Sequence, residues 1–122
     1  MKLLTKPLRE KLLANGREQA KVKGTKAERD FPPVVKFFYP AGAATWLITE
    51  ADPEEPDILF GLCDLGQGFP ELGSVRLSEL QSFRGSCGLG IERDKWFAAK
   101  APLSRYADAA REAGHIVEQV TP

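Results

Sequence analysis

Apolar residues recur along this chain in two rhythms. Leu4, Leu8 and Leu12 stand four apart against Lys6, Arg9, Glu10 and Lys11, the stripe of an amphipathic helix. Thr5 offers an N-cap hydroxyl, and Pro7 falls in the first turn, where a missing N–H costs nothing. Asn15-Gly16 predicts the stop, because glycine adopts a left-handed cap readily. From Arg17 to Asp30 the stripe lapses, with Val22 the only sizeable aliphatic residue. The expectation over residues 17–30 is a mobile, solvated, basic loop.

Beyond it the rhythm becomes that of strands. Val34–Tyr39 is β-branched and aromatic, bounded by Pro32-Pro33 and Pro40. Thr45–Thr49, Asp57–Asp64 and Gly73–Leu77 predict three more strands. The connections are short, which favours antiparallel neighbours. Ser78–Phe83 predicts one or two helical turns, and Arg84–Gly90 is too rich in glycine for a regular element. Ile91–Phe97 reads as a short strand and a turn. Ser104–Ala113 reads as a helix capped by Ser104 and ended by Gly114. Residues 115–120 form an edge strand or a tail.

The predicted fold is therefore α+β, one domain over residues 1–122. An antiparallel β-meander of four to five strands carries the N-terminal and C-terminal helices on one face. Its expected core holds Leu8, Leu12, Val35, Phe37, Leu47, Ile58, Phe60, Val75, Leu77, Leu80 and Tyr106.

Composition supports a single core: 43% of the 122 residues are hydrophobic and 28% charged, as in ordinary globular domains. No apolar run approaches the ~20 residues of a membrane span. The opening Met1–Leu4 is too short for a signal-peptide core, so a cytoplasmic location is expected. Cys63 and Cys87 form no CxxC pair, and both are expected as reduced thiols.

Net charge is zero but unevenly spread. Residues 1–36 hold ten Lys/Arg against four Asp/Glu, and residues 37–82 hold one base against eight acids. A neutral total argues against bulk coating of nucleic acid and leaves a local basic face open.

Met1–Lys6, Val35–Phe38 before a proline, Thr45–Glu50, Leu59–Gly61, Glu71–Gly73 leading into Leu77–Leu80, and Ile91–Asp94 form a run of distinctive phrases. These phrases resemble a bacterial family known as domain-of-unknown-function family 2958. They occur in the family's order from Met1 to about Tyr106; Arg17–Arg29 and the stretch after Ala107 are less typical of it. The resemblance implies a setting on plasmids and other mobile genetic elements. It brings no activity, cofactor or catalytic residue.

The catalytic patterns are thin. Cys87 and Arg93 have the spacing of a cysteine-phosphatase loop, but a Gly-Ser turn precedes the Cys and Glu92 abuts the Arg, so a glycine-rich turn is the better reading. Gly66–Gly68 and Gly88–Gly90 lack the strand-then-helix setting of a phosphate cradle. His115 is the single histidine, which leaves little for a triad or a zinc site. No cofactor, metal site or catalytic set is expected.

Three clusters carry binding potential. The turn at 50–57 concentrates Glu50, Asp52, Glu54 and Glu55 as an acidic contact surface. Arg84, Glu92, Arg93, Asp94 and Trp96 form a polar group beside a Trp, the composition of an interface hot spot. Arg17, Lys21, Lys23, Lys26 and Arg29 are the candidates for phosphate contacts, although no aromatic residue falls among them to stack on bases. The leading expectation is a non-catalytic accessory protein that binds a protein partner, as a monomer or small homo-oligomer. The alternatives are DNA binding through the basic N-terminal third and an enzyme built on carboxylates, Glu50 with Glu92 or Asp94.

Overall fold

The computed structural model describes residues 2–122. Helix α1 spans Lys6–Val22, and the Thr5 hydroxyl accepts from Leu8 N, as an N-cap does. The helix does not stop at Asn15-Gly16, and the physical reason is a contact. Asn15 is 2% exposed, and its Nδ2 donates to Thr49 O at 2.8 Å. A Cβ placed on Gly16 would lie 1.8 Å from Ala51 O. The glycine serves a close approach of helix to strand rather than a left-handed turn. The left-handed position after the helix is Gly24, with φ 81°.

The remainder of the expected loop is pinned. Gln19 exchanges two hydrogen bonds with the Arg29 backbone, at 2.8 and 2.9 Å. Arg29 pairs with Glu18 at 2.8 Å and stacks over Phe31, 5.0 Å from the ring centroid.

The strands are β1 (Val35–Phe38), β2 (Thr45–Ala51), β3 (Ile58–Asp64), β4 (Glu71–Arg76) and β5 (Glu92–Arg93). They form one antiparallel sheet in the order β4-β3-β2-β1-β5. Helix α2 (Leu77–Ser82) follows β4 directly, and α3 (Leu103–Ala113) follows β5. The meander is as expected, but the helices are not on one face. Leu12 of α1 and Leu77 and Leu80 of α2 pack with Val35, Phe37, Trp46, Ile48 and Leu59 on one side of the sheet. Leu103, Tyr106, Ala107 and Ala110 pack with Leu47 and Leu62 on the other. Strand β2, apolar from Trp46 through Ile48, is covered on both faces, the condition under which alternation gives way to a continuous apolar run.

The register steps between Ile48 and Glu50, so that Thr49 is skipped and Phe60 faces Glu50. One member of the expected core is not in it. Phe60 is 36% exposed, whereas Leu59 beside it and Leu62 farther along are buried. Leu8, Ile58 and Val75 are half-buried, and the other expected core residues are buried.

Helices α2 and α3 are capped from a distance. Asp57 accepts from Ser78 N at 2.9 Å and from its hydroxyl at 2.7 Å. These Ser78 hydrogen bonds hold the exposed Asp57 carboxyl below its ordinary value. Ser104, expected to cap α3, instead donates through N and Oγ to Asp30. The left-handed Gly114 ends α3 as expected. The tail then folds back, Ile116 N donating to buried Asp64 at 2.9 Å, and Lys36 binds Glu118.

Gly16→Ala drives a methyl into the Ala51 carbonyl and should destabilise the protein by about 1–3 kcal/mol, the range for overpacked sites. Chemical denaturation checks this; wild-type stability in Gly16→Ala would show that α1 does not depend on the close approach.

Candidate functional site

The close contact at Gly16 brings the second half of α1 against the end of β2. Between them opens a cleft of about 360 Å³, lined by Gln19, Lys23, Glu28, Glu50, Asp52 and Glu54, with Phe60 and Ser74 contributed by β3 and β4. A second lobe of about 330 Å³ shares Gln19, Glu28, Glu50 and Phe60 and continues past Arg29 and Leu72 to the start of α3. Glu50 and Phe60 thus sit where the two lobes join. They are cross-strand partners in the register, which places a carboxylate next to an aromatic ring.

Glu50 is half-buried, and Thr49 Oγ1 lies 3.1 Å from its Oε1. Burial pushes its carboxyl up from the ordinary value. Hydrogen bonds from Thr49 and Gln19 and the charge of Lys23 pull the other way, and Glu28 adds to the rise. Asp52 Oδ1 accepts from Glu54 N at 2.8 Å and from Glu55 N at 3.3 Å, which fixes the acidic turn.

The expected site residues are distributed as follows. Glu50, Asp52 and Glu54 come together in the cleft; Glu55 does not, and pairs with Arg76 at 3.4 Å. Of the basic candidates, Lys23 lines the acidic cleft and Arg29 is held by Glu18 and Phe31, while Arg17, Lys21 and Lys26 are exposed. The group at 92–96 splits. Glu92, Arg93, Asp94 and Trp96 line a hollow of about 460 Å³ at the β1–β5 edge, with Asp94 at 3.7 Å from Lys36. Arg93 reaches to Leu3 O at 2.6 Å. Arg84, grouped with them in the sequence, lies apart and donates to the carbonyls of Gln81 and Phe83, at 2.9 and 2.6 Å. Glu50 lines different cavities from Glu92 and Asp94, so the carboxylate pairs considered for catalysis are not brought together. Sequence reasoning missed Gln19, Glu28 and Phe60. Glu28 lies in a stretch dominated by lysines, and Phe60 has the look of a core residue.

Nucleophiles add little. The half-buried Cys63 thiol is pushed up by burial to about 11, away from the thiolate needed for attack. Among the described residues no group of three metal-ligating side chains is assembled, and no helix is long and apolar enough to cross a membrane.

The family model described as "Protein of unknown function (DUF2958)" matches residues 3–117. The chain belongs to this family. The DUF2958 match takes in Arg17–Arg29 and runs on past Ala107 to residue 117, through stretches that looked less typical, and it includes both walls of the cleft. No curated protein and no solved structure matches this DUF2958 chain.

Glu50 makes the cleft measurable. Its folded-state value is raised, so the stability it contributes is fully present below the unfolded value near 4.5 and is lost as pH rises through the folded value. Glu50→Gln should therefore raise Tm at pH 7, and the gain should shrink as pH falls toward 4. Thermal melts across this range check it; a variant no more stable than wild type at pH 7 would show that burying this charge carries no penalty.

Proposed function

We propose that this protein is a non-catalytic accessory factor that binds a partner protein by taking a basic side chain, an arginine, into the Glu50 cleft. The supporting observation is that Glu28, Glu50, Asp52 and Glu54 outnumber Lys23 in a cleft that also offers the Phe60 ring. Carboxylates accept a guanidinium through paired charge-assisted hydrogen bonds. Its flat face stacks on aromatic rings in a way an ammonium does not match. A half-buried carboxylate maintained against desolvation is also a mark of sites selected for binding rather than for stability.

The setting belongs to the same reading. The protein acts in the bacterial cytoplasm as a product of a mobile genetic element, and the partner is a protein of the host or of the element. DNA binding is less favoured, because two of its five candidate cations, Lys23 and Arg29, already face acids or an aromatic ring within the fold.

The test is an NMR titration with N-acetyl-arginine amide, its citrulline analogue as the uncharged control. Arginine should shift the backbone signals of Gln19, Glu28, Glu50 and Phe60, and citrulline should not. Glu50→Gln should weaken binding about tenfold or more, the loss expected for a charge-assisted hydrogen bond. Equal shifts from both ligands, or none, would sink the proposal. Capture from bacterial lysate that vanishes on nuclease treatment would transfer the lead to DNA binding.

A further inference from the structure

On the α1 side of the sheet, away from the cleft, lies an open groove of about 560 Å³ walled by Tyr39, Trp46, Leu65, Val75, Leu80 and Phe83. Its single carboxylate is Glu79. One wall is fixed: the Tyr39 and Phe83 rings meet edge-to-face at 5.3 Å. Tyr39 in turn lies so close over Gly85 that a Cβ there would sit 1.6 Å from its hydroxyl.

The same chain carries an apolar knob. Trp96 is 94% exposed, the most exposed of the large hydrophobic side chains. Its turn is tied down on several sides. Trp96 N donates to Asp94 Oδ1 at 2.9 Å, Asp94 N donates to Lys36 O at 2.9 Å, and the Asp94 carboxylate faces Lys36. An indole on a tethered turn has little backbone freedom left to lose on binding. Beside it Lys95 is exposed, as Glu79 is on the groove. Among the described residues neither takes part in an ion pair.

We infer that the protein self-associates head to tail, Trp96 of one copy entering the Tyr39–Phe83 groove of a second copy while Lys95 meets Glu79. Knob and groove match in apolar character and their flanking charges are opposite, which is why a second copy is the occupant. Trp96 shares its hollow with Lys36 and Phe38, which alternate away from Val35 and Phe37 of the α1-side core. The groove opens on the α1 side, so knob and groove use different surfaces and the contact is heterologous, giving rings or short chains rather than an isologous pair. One aromatic side chain buries about 150–250 Å², far below the roughly 1,200–2,000 Å² of a standard interface. Association is therefore weak and concentration-dependent. None of these residues lines the Glu50 cleft, so the two readings stand or fall separately.

Sedimentation equilibrium over a wide concentration range is the test. The average mass should rise with concentration. Trp96→Ala and Leu65→Glu, both at exposed positions, should each weaken association about 30-fold or more, as loss of a hot-spot anchor does. Mixed at equal amounts, these two variants should form a one-to-one complex and nothing larger, because one keeps the groove and the other keeps the knob. Lys95→Glu and Glu79→Lys should each weaken association, and the doubly exchanged chain should recover it. A constant monomer mass at every concentration would overturn the inference, as would association that survives Trp96→Ala or a variant mixture that stays monomeric.

Discussion

The clasp between α1 and the bulged end of β2 is the constraint from which the rest of the architecture follows. Thr49 is skipped in the β2–β3 register, and a strand carbonyl left without a ladder partner in a dry interior is costly. Asn15 answers it by donating from Nδ2 at 2.8 Å. Helix and strand can approach closely enough for that bond only because position 16 has no side chain. The arrangement is not free, since Asn15 Oδ1 is buried without a partner among the described residues, a defect of about 1–3 kcal/mol. An apolar residue at 15 would remove that defect and leave the Thr49 carbonyl unanswered instead.

The bulge that creates this need also makes the cleft. The irregularity at Thr49 sets Glu50 against Phe60. With Gly16 seated on Ala51, the helical turns that follow hold Gln19 and Lys23 over the same spot. A strand kinked by a bulge and a helix pulled close to it are together enough to half-bury a carboxylate. Bulges commonly re-aim side chains in this way near functional sites. The cleft is a by-product of how one backbone carbonyl is satisfied.

How much of this was legible depended on whether the signal was local. Strand positions were readable because β-branched and aromatic runs lay between prolines and glycines, and pairing followed from short connections. The end of α1 was misread because Asn-Gly has two physical uses, a left-handed cap and a close approach, and only a partner strand 34 residues away in sequence from Asn15 distinguishes them. The placement of α1 and α3 on opposite faces was written in Trp46-Leu47-Ile48, three consecutive apolar residues that a one-sided sheet has no use for. Phe60 was misassigned because alternation gives the face of a strand a residue occupies and not whether anything covers it there: Phe60 shares its face with Leu62, which α3 buries, yet stays exposed itself. Glu28 and Gln19 were invisible as site residues because their roles come from tertiary contact alone.

Three aspartates show why such contacts escape a linear reading. Asp30 caps α3, Asp57 caps α2, and Asp64 receives the chain after α3 at Ile116. Each does for a distant segment what capping rules assign to a neighbouring residue. For that reason Ser104 could look like a cap and prove to be a donor. The division of labour is consistent along the chain. Apolar residues place the layers, while carboxylates fix where α2 and α3 begin and where the tail lies. The acidic middle third of the sequence is therefore not one surface. Asp57 and Asp64 are committed to structure and Glu55 is paired with Arg76, which leaves Glu50, Asp52 and Glu54 as the members of that third that converge on the cleft.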